Sequence, residues 1–284
     1  MNHDSHVVIE PRSSRMDPYI HDPVVLIPPE PLLNLAARRH KVRKKWGVFT
    51  PARVYAASAG KRKLSLAGPC MGAPASVYVL ERLIANGARN IIMLGLGGSL
   101  SPEVKIGDMV VADSALIEEG TSPHYNAKAK VSYPSEQALL ALRKALDDSG
   151  RSYHLGPAWT TDAVFRETKT KVKNYGEEGY LAVEMECSAL FTVAEYRNVH
   201  LGAMLVVSDE LYDLRWRHGF TRPRFLNACR HACRLASKAA LLLAGEEEAA
   251  EEDSGEKINR EQDEDDPWQG NFSLRQESED GEEQ

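Results

Sequence analysis

The 284-residue sequence predicts a single α/β domain whose sheet is covered by helices on both faces. Short apolar runs alternate along it with amphipathic helical stretches, and several of the runs are apolar throughout, as strands buried on both faces are. No apolar run reaches the roughly 18 residues that a membrane-spanning helix needs. The composition, 43% apolar and 27% charged, is that of an ordinary globular protein.

Residues 1–19 carry little apolar content and read as a flexible arm, so the domain is placed at 20–245. VVLIP (24–28) reads as a buried strand, stopped by its prolines, with a helix starting at Pro31. RKLSLAG (62–68) alternates as a strand does. In 74–86, Val77, Leu80, Leu83 and Ile84 form one helical stripe between Pro74 in the first turn and Gly87 beyond the end. Strands are expected at 90–95 and 105–113, then a helix in 135–150 with Ser135 as N-cap and Gly150 after its last turn. A strand near 153–161, a helix near 186–197, the apolar strand 201–208 and a final helix near 223–244 complete the pattern.

The charge is divided. Residues 246–284 hold 17 acidic and 3 basic side chains, against 24 and 32 in residues 1–245. Such a tail buries too little apolar area to offset its ordering entropy and is expected to be disordered, with Trp268, Phe272 and Leu274 as a short docking motif in the other reading. The positive charges of the body are scattered without interleaved aromatics, which argues against nucleic acid as a partner. The exception is Arg38, Arg39, Lys41, Arg43, Lys44 and Lys45, read as a solvated helix face. The four cysteines, Cys70, Cys187, Cys229 and Cys233, form no CxxC pair. A metal at Cys229 and Cys233 would need two further ligands, and His231 points elsewhere, so buried thiols are expected. The N-terminal stretch has no secretory apolar core, which gives a cytoplasmic expectation with no membrane partner.

Gly95, Gly97 and Gly98 follow a strand, yet GxGxxG fails at Leu100, and the chain continues into a turn and another strand rather than a helix. Glycines there still let a ligand approach the backbone at the strand's carboxyl end. Glu184 and Glu186 open a helix, where the dipole alone accounts for them, and Asp209 ends an apolar strand, where a turn start accounts for it. Together, three carboxylates at the carboxyl ends of two strands suit gripping sugar hydroxyls and protonating a leaving group.

GPCMGAPAS (68–76), NIIMLGLGGSLSPEVKIGDMVVAD (90–113), EEGTSPHY (118–125), TTDAVF (160–165), VEMECSAL (183–190) and VVSDEL (206–211) occur in this order. In these segments the chain resembles the purine nucleoside and uridine phosphorylase superfamily, which also contains nucleosidases. The resemblance covers roughly 24–244 and implies a three-layer α/β/α domain with a mixed sheet. It implies that Glu186 holds the ribose 2′ and 3′ hydroxyls, with Met185 packing on the sugar and Glu184 beside it. It makes Asp209 the acid that protonates the base, assisted by Arg222, and places Phe165, with Arg166 next to it, against the base, where Phe165 reads alternatively as core. Uridine enzymes usually lack an aspartate at the Asp209 position, which tilts the expectation toward a purine.

The phosphate loop of the family departs from its pattern here. Pro29 stands for its glycine and Leu33 for its arginine, Met93 for a second arginine, and Leu96 for a small hydroxyl residue. Losing both guanidinium groups removes charge-assisted hydrogen bonds of ~1.5–3 kcal/mol each. Glu30 adds repulsion, and Arg43, Lys44 and Arg166 are the candidates for replacement. Three readings stand: a nucleoside phosphorylase with an atypical phosphate site, a nucleosidase in which Glu30 activates water, and a nucleoside-binding protein without turnover. Asp209 argues against the last. No metal or organic cofactor is expected, inorganic phosphate being the co-substrate of the first reading. The resemblance also implies a homo-oligomer whose neighbour closes the site, to which His21 and His124 are the candidate contributors, each otherwise an ordinary surface histidine.

Overall fold

The computed structural model describes residues 7–42, 47–49 and 52–245. The elements run in the order β1 (Val24–Leu26), α1 (Glu30–Arg39), β2 (Gly47–Phe49), β3 (Ala52–Ala59), β4 (Arg62–Gly68), α2 (Ala73–Ala85), β5 (Asn90–Ser99) and β6 (Met109–Glu118). They continue with α3 (Ser122–Tyr125), β7 (Val131–Ser132), α4 (Glu136–Asp147), β8 (His154–Thr161), a 3₁₀ turn (Val164–Arg166) and α5 (Lys169–Glu177). The last are β9 (Ala182–Glu184), α6 (Cys187–Arg197), β10 (His200–Glu210), β11 (Arg217–His218) and α7 (Pro223–Leu243).

Alternation along the central strands sorts side chains into two layers, because successive residues of a strand face opposite ways. In β5, Ile91 and Met93 join Val77, Leu80, Leu190 and Phe191 of α2 and α6. Ile92 and Leu94 join Leu32, Leu142, Phe225 and Cys229 of α1, α4 and α7. This is the expected helix–sheet–helix sandwich, and it explains why β5 and β10 read as apolar throughout. Cys70, Cys187, Cys229 and Cys233 are buried free thiols, and no described helix is long and apolar enough to cross a membrane.

The sheet is mixed. β1 pairs in parallel with β4 and β5, and β5 in parallel with β10, whereas β10–β6 and β5–β9 are antiparallel. Parallel β6–β8 and β8–β9 pairs complete a ring through β5, β9, β8, β6 and β10, so one end of the sheet closes into a small barrel. Strand alternation alone does not encode that closure.

Ser135 caps α4 by accepting from the Ala138 amide at 3.3 Å, and Gly150 follows in the left-handed region at φ +65°. The structure corrects three boundaries. β5 runs through the glycine cluster to Ser99 instead of stopping at 95, because its pairing with β10 continues to Glu210. The strand expected at 105–113 begins only at Met109, since Lys105–Asp108 form a turn closed by the Lys105 amide on Asp108 at 2.9 Å. α1 starts at Glu30, one residue ahead of Pro31. β3 and α5 carried no clear period in the sequence; β3 gains its place by pairing along the whole of β4.

Where the sequence reads as a loose arm, Asp17 pairs with Arg82 of α2 and Glu10 approaches Arg197 of α6 at 3.7 Å. Arg38, Arg39 and Lys41 are exposed around the end of α1, as a solvated face requires. Arg43, Lys44 and Lys45, and the acidic segment 246–284 with Trp268, Phe272 and Leu274, lie outside the described residues.

Candidate active site

The carboxylates gather where β5, β9 and β10 end. Gly98 of β5 pairs on one side with Val183 of β9 and on the other with Asp209 of β10. Val183 and Asp209 therefore stand two strand spacings apart, about 10 Å. The register between β10 and β5 slips at Ser208, so Val207 faces Gly97 while Asp209 faces Gly98. A bulge of this kind re-aims the side chain that follows it.

Glycine is required at Gly98 by close approach. A Cβ there would lie 3.0 Å from Asp209 Oδ2 and 3.3 Å from Val183 Cγ1, with Leu211 closer still. Gly98→Ala is expected to displace Asp209 and Leu211 at a cost of about 1–3 kcal/mol in stability. Turnover should fall further than that stability change accounts for, which paired melting and activity measurements would resolve.

Glu184 is consumed by local architecture. One of its oxygens accepts from the Thr160 hydroxyl, and the other from the amides of Glu186 (2.7 Å) and Cys187 (2.8 Å), closing the first turn of α6. These contacts make it a residue that shapes the turn carrying Glu186. Glu186 is buried and accepts from the Gly72 amide at 2.5 Å. Gly72 stands at φ +85° ahead of α2, a left-handed position that favours glycine, and it aims the helix N-terminus at the carboxylate. Burial first, and then the Glu184 carboxylate, push Glu186 up to about 8, against the Gly72 and Met185 amides. Met185 is half-buried beside it.

Asp209 is partly buried and accepts from the Ser208 hydroxyl at 2.6 Å and the Trp216 indole N–H at 3.0 Å. Burial raises its pKa, opposed by those two donors and by His218. Glu167, following the 3₁₀ turn, is pushed up to about 8 by burial and by the Asp209 charge. Trp216 just before β11, His218 within it and Phe220 just past it lie ring to ring, with centroids 5.3 and 6.3 Å apart, the first pair tilted and the second stacked. Sequence reasoning missed Trp216, His218 and Glu167. The alternation of three rings at 216, 218 and 220 was the available signal for a strand face beside Asp209.

Other predicted residues fall elsewhere. Trp216 and His218 stand against Asp209 where Arg222 was expected. Arg222 is exposed at the N-cap of α7, and no hydrogen bond or ion pair among the described residues joins it to Asp209. Phe165 is 93% exposed on the 3₁₀ turn, so the core reading is wrong, and Arg166 beside it is exposed too. His21 lies ahead of β1, its amide donating to Ser65 Oγ at 2.8 Å, and His124 is exposed in α3.

The loop at 28–33 packs beside Gly72, the Cys70 amide donating to the Pro28 carbonyl at 3.1 Å. Leu33 and Met93 are fully buried in opposite apolar layers, and Leu96 is half-buried in that of Leu33. Glu30 forms an ion pair with Arg53 of β3, a cation that the sequence did not single out.

The α/β sandwich and the carboxylates at its strand ends define a domain of the nucleoside phosphorylase type. The chain belongs to the phosphorylase superfamily, whose family model matches residues 26–242. It is 31% identical over 148 residues to the guanosine phosphorylase of Halorubrum lacusprofundi, covering 52% of this chain and 61% of that one. To the DeoD-type purine nucleoside phosphorylase of Bacillus thuringiensis it is 33% identical over 162 residues, covering 54% and 66%. The chain thus spans less than two thirds of the length of these relatives. The purine nucleoside phosphorylase of Toxoplasma gondii in complex with immucillin-H superposes at a TM-score of 0.70 and 20% identity, over 79% of this chain and 92% of that one, a likeness of fold.

Proposed function

We propose that the chain cleaves the N-glycosidic bond of a purine-type nucleoside. The observation that carries this reading is the placement of two carboxyl groups, buried Glu186 and half-buried Asp209, at strand ends either side of the Gly98 backbone, each with its pKa raised by burial. A nucleoside laid across Gly98 has its ribose toward Glu186 and its base toward Asp209. Glu186 accepts from the 2′ and 3′ hydroxyls, donors that favour its ionised form once the ribose is bound, and that charge favours the cationic sugar of the transition state. Asp209, its pKa raised by burial, donates to the departing base while the bond to C1′ breaks, a step typically worth ~10²–10⁴ in rate. Met185 lies against the sugar, and Trp216 orients the acid by its indole N–H. Phe165 and Arg166, on the exposed 3₁₀ turn that precedes Glu167, are assigned to the base side of the cleft. Arg222, at the N-cap of α7, is the remaining candidate for assisting the acid.

The acceptor at C1′ is phosphate in the first reading, which the sequence similarity to phosphorylases supports. The buried apolar side chains of Leu33 and Met93 and the Glu30–Arg53 pair favour a second reading, with water as acceptor. Chromatography of free base from purine and pyrimidine nucleosides, with and without inorganic phosphate, separates them. Release that requires phosphate and yields sugar 1-phosphate supports the phosphorylase, and phosphate-independent release yielding free ribose supports the nucleosidase. No release from any nucleoside overturns both.

A further inference from the structure

Away from the carboxyl ends of the strands lies a cavity of about 180 Å³ between the end of α1, the β3–β4 hairpin and the last turns of α7. Arg39, Arg62, Arg234 and Lys238 line it together with His40 and Ser237, and no carboxylate is among its lining residues. Lys238 is partly neutralised by Asp148 at 3.3 Å. Arg39 and Arg234 make no ion pair among the described residues and are both exposed toward solvent. Arg39 also complements the C-terminal end of α1, which accounts for its charge and not for that of Arg234. The positive field extends to His231, whose pKa is lowered first by burial and further by Arg151, Arg234 and Arg39.

Gathering like charges around one hollow costs energy that a counter-anion offsets. The guanidinium fork matches the oxygens of a phosphoryl group in paired hydrogen bonds. Polar groups are already held at the wall: His40 contacts Ser237 Oγ at 2.9 Å and the Ser58 carbonyl at 3.0 Å. The volume admits an anion of the size of phosphate or diphosphate. The site is distinct from the catalytic cleft, because β4 runs from Arg62 at the cavity to Gly68 beside the cleft, about 20 Å away at strand rise.

We propose that this cavity is a second, non-catalytic site for a small phosphate-class anion, either inorganic phosphate or the phosphoryl group of an ester. The test is calorimetric titration of the full chain at constant ionic strength with inorganic phosphate, diphosphate and glycerol phosphate, in the parent and in the Arg39→Gln/Arg234→Gln double variant. Both positions are exposed, so the fold is expected to persist, which a melting curve checks. The parent should bind at least one of the three with an affinity that falls tenfold or more in the double variant, while base release from nucleosides is unchanged. The inorganic and ester arms tell the two sources apart. Binding that persists undiminished in the double variant belongs to the catalytic cleft and overturns the proposal. So does heat that sodium chloride reproduces, or failure of the full chain to bind any of the three in the presence of its own acidic segment 246–284. The outcome does not depend on nucleoside turnover, so this proposal and the catalytic reading fail separately.

Discussion

Asp209→Asn is expected to lower release of a purine base by ~10²–10⁴ while leaving the melting temperature within a few degrees of the parent. The amide keeps the volume of the carboxyl and one of its acceptors. The Trp216 indole, 3.0 Å from Oδ2, keeps the amide oxygen as its acceptor, and the Ser208 hydroxyl, 2.6 Å from Oδ1, turns its proton to the Gly97 carbonyl, already 3.3 Å away. Folding therefore loses little, whereas the proton for the leaving base is gone. Burial holds the Asp209 pKa above the ordinary carboxylate range, so the parent acts as an acid below that raised value. Its rate should fall as pH rises through it, and the Asn variant should lose that limb of the profile. Unchanged turnover in the variant would remove Asp209 from the acid role.

Glu186→Gln has the second largest expected effect, and it splits function from stability. The variant keeps an oxygen for the Gly72 amide at 2.5 Å but loses the charge that strengthens the ribose contacts. At ~1.5–3 kcal/mol for a charged hydrogen bond, kcat/KM for ribosides should drop about 10- to 100-fold. A 2′,3′-dideoxyriboside, which lacks both hydroxyls, should be affected far less. Stability should move the other way. Folding raises the Glu186 pKa from 4.5 to about 8, so its contribution is fully present below 4.5 and is lost as pH climbs through 8. Removing the group makes the variant melt higher than the parent at alkaline pH and nearly alike at acidic pH. Equal melting of the two proteins across that range would show that Glu186 is not held protonated by the fold.

Much of this architecture was legible in the residues. α2 and α4 declared themselves by period, caps and stops, because each buries one face, and β10 by its unbroken apolar run, because both of its faces are buried. Ser135 and Gly150 bracket α4 as their chemistry requires. β3 and α5 escaped because pairing with β4 and packing over Trp159 hold them, and neither leaves a strong local period. Closure of the sheet into a ring escaped for the same reason. In the site, Glu186 and Asp209 were visible as carboxylates ending apolar runs. The consumption of Glu184 by the α6 amides and the pairing of Asp209 with Trp216 depend on contacts across the fold. Arg53 was invisible because its partner Glu30 lies 23 residues away on another element.

The central claim is that Asp209 delivers a proton to the leaving base, and a change of leaving group tests it most directly. A 4-nitrophenyl riboside departs as a stable anion and needs no proton, whereas a purine does. The account predicts that Asp209→Asn retains most of the parent's rate on the nitrophenyl riboside while losing ~10²–10⁴ on the purine nucleoside. Equal loss on both substrates, or loss on neither, would contradict it.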